Sequence, residues 1–207
     1  DPATGQFISY DRDPTDPDDL GPDTVFAMTE DGAGRLWLGT RKGVGRFNRE
    51  LGIFLPEEFE TSVVPGSNDR VTSLLFDTSG KLWFGTLENG LYRYDLNRHV
   101  LTAFRANAGV PGSIGHNTIF AIAQDATGTL WIATGGGGLA RYDSATETFK
   151  TYTEEHGLSN NVVYGILEDD SGHLWLSTNY GISRFDPAAE AFRNYTTSDG
   201  LGSMEFN

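Results

Sequence analysis

Eight side chains have the makings of a recognition surface: Arg41, Lys42, Arg70, Glu88, Asn89, His116, Asn179 and Tyr180. Guanidinium, amide, carboxylate and imidazole groups offer planar donors and acceptors for hydroxyls, and a tyrosine adds a flat apolar face. Making or breaking bonds would need more. General acid–base chemistry requires a converged pair, often with a metal. The four histidines, His99, His116, His156 and His173, are scattered along the chain with no paired-carboxylate motif beside them. A chain without cysteine has neither disulfides nor thiolate metal ligands. We expect no catalytic residue, no metal site and no cofactor in these residues. The run Gly135 to Gly138 superficially suggests a phosphate loop, but it lacks the helix start and the lysine of such loops, so a tight turn is expected.

The elements that position these residues can be read from a repeat. Trp37, Trp83, Trp131 and Trp175 all stand in one phrase, seen as Gly34-Arg35-Leu36-Trp37-Leu38-Gly39-Thr40 and three times more at spacings of 46, 48 and 44. A period in the forties built of short β-type runs and glycine turns marks a β-propeller with one four-stranded blade per repeat. Each repeat opens with an inner strand such as Val25-Phe26-Ala27-Met28 or Ile119-Phe120-Ala121-Ile122, small at its third place. A turn follows, Asp31 to Gly34, Asp77 to Gly80, Asp125 to Gly128 and Asp170 to Gly172, whose Asp can bond its own backbone. Read as calcium loops, these turns would lack the dense carboxylate set that the ion needs.

The tryptophan phrase forms the second strand. Its unbroken apolar run suits a strand covered on both faces, so the four tryptophans are expected to be packing residues. The third strand carries Arg46, Arg93, Arg141 or Arg184 next to an aromatic and an Asp or Asn. A recurring arginine could form an anion ring; an inter-blade hydrogen bond or salt bridge fits its neighbours better. The fourth strand is marked by Phe54, Phe104, Phe149 to Tyr152, and Phe192 to Tyr195.

The fold class expected is therefore all-β: a β-propeller of four-stranded antiparallel blades, four complete and partial at both ends. Residues 1–10 read as the end of a preceding blade, 23–57, 69–105, 117–153 and 161–196 as blades, and 203–207 as the start of a following one. An inner and an outer strand alone cannot complete a blade, so the segment is expected to belong to a longer propeller, its remaining blades being its first partners. Charge narrows the others. With Lys plus Arg at 15 against 29 for Asp plus Glu, the net charge of -14 opposes nucleic acid and anionic membrane surfaces.

The combination Gly-x-Leu-Trp-aliphatic-small-Thr, then Gly-aliphatic-x-Arg-aromatic-Asp/Asn, then Phe-x-x-Tyr and Gly-Leu, resembles the two-component regulator propeller repeat over essentially the whole chain. The resemblance implies a periplasmic ligand-sensing region of a bacterial membrane receptor, a homodimer when complete, with a histidine kinase or diguanylate cyclase as output. It also implies a soluble oligosaccharide or other small molecule as ligand. Fold does not fix function. A propeller enzyme of the streptogramin-lyase or glycosidase type, which shares Leu-Trp repeats, and a protein-binding scaffold stay open as alternatives. In propellers the loops before the inner strand and between the second and third strands share one face at the mouth of the central channel. The eight residues above all fall in those loops.

Overall fold

The computed structural model describes residues 4–7, 24–41, 43–57 and 70–206. Among these described residues sixteen strands form four antiparallel sheets, each a meander in chain order. Blade 1 holds β1 (Val25–Glu30), β2 (Leu36–Thr40), β3 (Gly43–Asn48) and β4 (Ile53–Pro56); blade 2 holds β5 (Val71–Phe76), β6 (Leu82–Thr86), β7 (Leu91–Asp95) and β8 (Val100–Phe104). Blade 3 holds β9 (Ile119–Gln124), β10 (Leu130–Thr134), β11 (Leu139–Asp143) and β12 (Thr148–Tyr152); blade 4 holds β13 (Val163–Glu168), β14 (Leu174–Thr178), β15 (Gly181–Asp186) and β16 (Ala191–Tyr195). The inner strands β1, β5, β9 and β13 lie side by side from blade to blade. They form the wall around which the blades turn.

Apolar burial sits between the blades. Trp37 and Val44 of blade 1 pack on Val71, Leu82 and Phe84 of blade 2. Trp83 and Leu91 meet Ile119, Leu130 and Ile132 of blade 3, and Trp131 and Leu139 meet Val163, Leu174 and Leu176 of blade 4. The three tryptophans are 1–2% exposed, so each blade contributes one face to one core and its other face to the next. Trp175 has no following blade among the described residues and is only half-buried, with Leu167 beside it 70% exposed.

The tryptophans do more than pack. In each blade an aspartate accepts the indole N–H six residues later: Trp37 Nε1 to Asp31 at 3.0 Å, and Trp83, Trp131 and Trp175 to Asp77, Asp125 and Asp169 at 2.8 Å. The fourth blade corrects the sequence reading, which placed the turn aspartate at Asp170. It is Asp169 that accepts from the Ser171 and His173 amides, because the turn is one residue longer than the sequence reading gave it.

The third-strand arginines face their tryptophans across the ladder. Arg93 crosses to blade 3, donating to Tyr142 Oη at 2.8 Å and to Glu147 Oε1 at 2.7 Å. Arg141 reaches Glu190 of blade 4 at 4.0 Å, in a blade where Phe185 replaces the tyrosine and offers no hydroxyl. Arg46 lies 6.0 Å over the Trp37 ring, its Nε buried without a hydrogen bond. Arg184 stands opposite Trp175 on the face of blade 4 that no described blade covers.

The expected partial blades are described only in part. Of residues 1–10 only 4–7 are described, as a turn around Gly5. At the other end residues 204–206 form no strand, but the Met204 carbonyl accepts from Gly181 N as Asn117 and Asn161 carbonyls accept from Gly90 and Gly138.

Candidate binding face at the channel mouth

Each β2–β3-type loop is closed by the same clasp. A threonine with no exposed surface, Thr40, Thr86, Thr134 or Thr178, donates its hydroxyl to the carbonyl of the glycine that opens the next strand, at 2.8–3.1 Å. Those glycines, Gly43, Gly90, Gly138 and Gly181, have φ of 77–111°, a region closed to most side chains. The described residues between threonine and glycine are thus presented on a fixed frame while their identities vary: Arg41, Leu87 to Asn89, Gly135 to Gly137, Asn179 and Tyr180.

The structure places the eight sequence-derived residues at this one end of the blades, except that Lys42 lies outside the described residues. Arg41 and Glu88 are exposed. Arg70 precedes β5 with its guanidinium 5.7 Å over the ring of Phe26, and its carbonyl accepts from Leu87 N. Asn89 is half-buried and donates its backbone N–H to Thr86 Oγ1 at 3.0 Å. His116 Nδ1 accepts from Thr118 N at 3.0 Å, and its ring lies against Gly136. Asn179 Oδ1 accepts from Tyr164 Oη at 3.0 Å, while Tyr180 stands 53% exposed next to it. Asn179 and Tyr180 therefore adjoin one another on blade 4. Arg41 sits at the far end of the row on blade 1.

The glycine run of blade 3 is no loose turn. A Cβ at Gly135 would meet Thr118 and Phe120, one at Gly137 would meet the Gly115 backbone, and one at Gly138 would run into the Tyr152 carbonyl. Sequence reading also passed over the aromatic second place of the inner strands. In every blade the ladder shifts register there: Val25 pairs with Thr40 but Ala27 with Gly39, and the same step recurs around Thr72, Phe120 and Tyr164. Phe120 and Tyr164 stack across adjacent blades with ring centroids 4.8 Å apart. The signal available in sequence was an aromatic just ahead of the small residue of three inner strands.

The opposite end of the blades holds a cavity of about 730 Å³ between blades 2 and 3, lined by Lys81, Arg93, Thr127, Thr129, Tyr142 and Glu147 among others. Its acids are already engaged: Asp77 with Trp83, Asp143 with the Ala145 amide, Glu147 with Arg93. The histidines are likewise held in four separate turns: His99 on Tyr94, His116 on Thr118, His156 on Thr153 and His173 on Asp169. Among the described residues no three His, Cys, Asp or Glu side chains group as a metal site would.

A model of the two-component regulator propeller repeat matches residues 19–42, 65–88, 113–136 and 157–180, one match per blade from the inner strand through the tryptophan strand. The chain belongs to the two-component regulator propeller family. Solved structures agree with this architecture. The extracellular domain of the hybrid two component system BT3049 from B. thetaiotaomicron aligns over 86% of this chain and 25% of its own, with TM-score 0.74 and 22% identity. That of BT4673 from the same organism aligns over 86% and 26%, with TM-score 0.68 and 22% identity. Virginiamycin B lyase from Staphylococcus aureus aligns over 86% and 57%, with TM-score 0.63 and 16% identity. At such identities the likeness is one of fold. This two-component regulator propeller spans about a quarter of the two receptor domains it matches. No curated protein matches it, and among the described residues no helix is long and apolar enough to cross a membrane.

Proposed function

We propose that this propeller is the extracytoplasmic, periplasmic ligand-sensing part of a bacterial signal-transduction receptor, that it recognises a soluble oligosaccharide or other small molecule, and that it signals to a cytoplasmic kinase or cyclase module. The observation that carries this reading is the clasped loop row: an invariant Thr–Gly frame in all four blades holds residues that differ in each. Variation on a fixed scaffold is what recognition requires. The family match supports the receptor context.

A ligand at this face transmits a signal only by preferring one arrangement of the propeller against its neighbours. The remaining blades of the longer propeller and a second protomer in the full-length dimer are the surfaces available for that. A lyase reading draws on the fold shared with virginiamycin B lyase. It stands second because catalysis needs a converged acid–base pair, whereas the four histidines occupy separate turns.

The test is to replace Arg41, Asn179 and Tyr180 with Ala in the intact receptor and to measure affinity for the glycan that a screen of soluble oligosaccharides identifies. The triple variant is expected to bind at least about tenfold more weakly, as loss of one aromatic face and its hydrogen bonds implies. Unchanged affinity removes these loops from the site.

A further inference from the structure

The register shift that recurs in all four inner strands has one effect. It lifts a single residue out of each ladder: Phe26, Thr72, Phe120 and Tyr164. A bulge gives up ladder pairing and re-aims a side chain, and such features gather beside functional sites. Here three of the four re-aimed side chains are aromatic, and none belongs to the cores between blades. Phe26 is 37% exposed, while Phe120 and Tyr164 are half-buried, in contrast to the tryptophans at 1–2%. The one aliphatic hydroxyl in the row, Thr72 Oγ1, donates within the frame, to the Gly85 and Ile119 carbonyls.

We propose that the stacked Phe120–Tyr164 ring pair is the stacking floor of the binding site and that the ligand lays the flat face of a six-membered ring on it, a pyranose or an aromatic ring. This deepens the receptor reading and rests on it for the ligand's origin. Aromatic faces are the negative side of a quadrupole, and the axial C–H groups of a pyranose, like the edge of an aromatic ring, present the matching positive side. The hydroxyl rim of such a ligand also finds partners. Asn179 accepts from Tyr164 through Oδ1, which leaves its Nδ2 hydrogens free to donate and the Tyr164 oxygen free to accept. Phe120 and Tyr164 carry no charge, so the floor selects for shape and for neutral polar groups, while the Phe26 ring already takes the Arg70 guanidinium at 5.7 Å. Gly135 is required below it, since a Cβ there would come within 3.2 Å of the Phe120 ring.

The test labels Phe and Tyr ring carbons of this chain and titrates it by NMR with methyl β-D-glucopyranoside, with p-cresol, and with glycerol as a polyol lacking a ring. The Phe120 and Tyr164 resonances are expected to move with at least one ring probe and not with glycerol; which probe moves them separates a sugar from an aromatic ligand. Phe120→Leu keeps the apolar volume without the flat face, and should weaken that response up to about tenfold, the worth of one aromatic pair. Rings unmoved by both ring probes, rings moved equally by glycerol, or an undiminished response in a folded Phe120→Leu protein each overturn the proposal. If the rings bind a probe but the output of the full receptor ignores every glycan offered, the receptor reading fails and the stacking floor stands.

Discussion

In each blade the first-turn aspartate gathers two backbone amides and one indole N–H, which stabilises its charged form. Partial burial pushes the Asp31 carboxyl up, but the bonds from Trp37 and from the Arg35 amide and side chain outweigh it and hold the group at about 2. The Trp175 indole and the His173 amide hold Asp169 at about 2 as well. Asp77 and Asp125 are also lowered, burial again opposing the bonds from Ser79 and Trp83, and from Thr127 and Trp131. A carboxyl depressed below its unfolded value of 3.8 contributes stability above that pH and loses it as pH falls toward the folded value. Urea-unfolding free energy should therefore hold from neutrality down to about pH 4 as far as these groups act, and fall between about pH 4 and pH 2. A flat profile across that window would remove the aspartates from the account. Asp77→Ala orphans the buried Trp83 N–H and should cost about 1–3 kcal/mol, whereas Asp77→Asn keeps an acceptor and should cost less; urea melts compare the two.

Between residue and blade, the turns decide where side chains are forbidden. Gly138 combines φ +77° with a Tyr152 carbonyl in the place of its missing Cβ, while Gly128, at φ +87°, has only the end of Gln124 within 4 Å. Gly138→Ala should cost about 3 kcal/mol or more, since strain and a backbone displacement add, and Gly128→Ala about 1 kcal/mol, from strain alone. Thermal unfolding of the two variants tests the contrast. The turn between third and fourth strands shows the opposite use of the same conformation. Glu147 and Glu190 occupy positive φ, 55° and 50°, at equivalent places, and from there reach back to the preceding blade. Glu147 meets Arg93, and Glu190 takes Lys150 and Tyr152 as well as facing Arg141. His99 holds that place in blade 2, at φ 55°, and bonds Tyr94 instead, so that among the described residues Arg46 lacks the acid that Arg93 and Arg141 have.

For the whole molecule, stability is close to a sum of blades and nearest-neighbour interfaces. Trp83 lies in the central interface, stacked against Phe104 and edge-on to Tyr142 at 4.8 Å. Trp83→Ala should cost about 3–5 kcal/mol and broaden or split the urea transition, because it weakens the junction joining blades 1–2 to blades 3–4. Trp175→Ala, at a half-buried position, should cost clearly less. Equal losses would contradict the nearest-neighbour account. The sequence by itself determined the repeat, the strand order within a blade and the end of the blades where loops vary, because the period, the turn glycines and the apolar runs are local and recur four times. It also located Asn179 and Tyr180 in those loops. The constant six-residue step from aspartate to tryptophan marks Asp169 in the sequence as well, although the turn as read starts one residue late. Only the tertiary structure decided that the glycine run is packed and that a bulge turns Phe26, Phe120 and Tyr164 out of their strands. Each depends on which atoms of another strand or blade come near, such as the Gly115 backbone against Gly137 or the Tyr164 ring against Phe120, and no spacing within one repeat carries that distance.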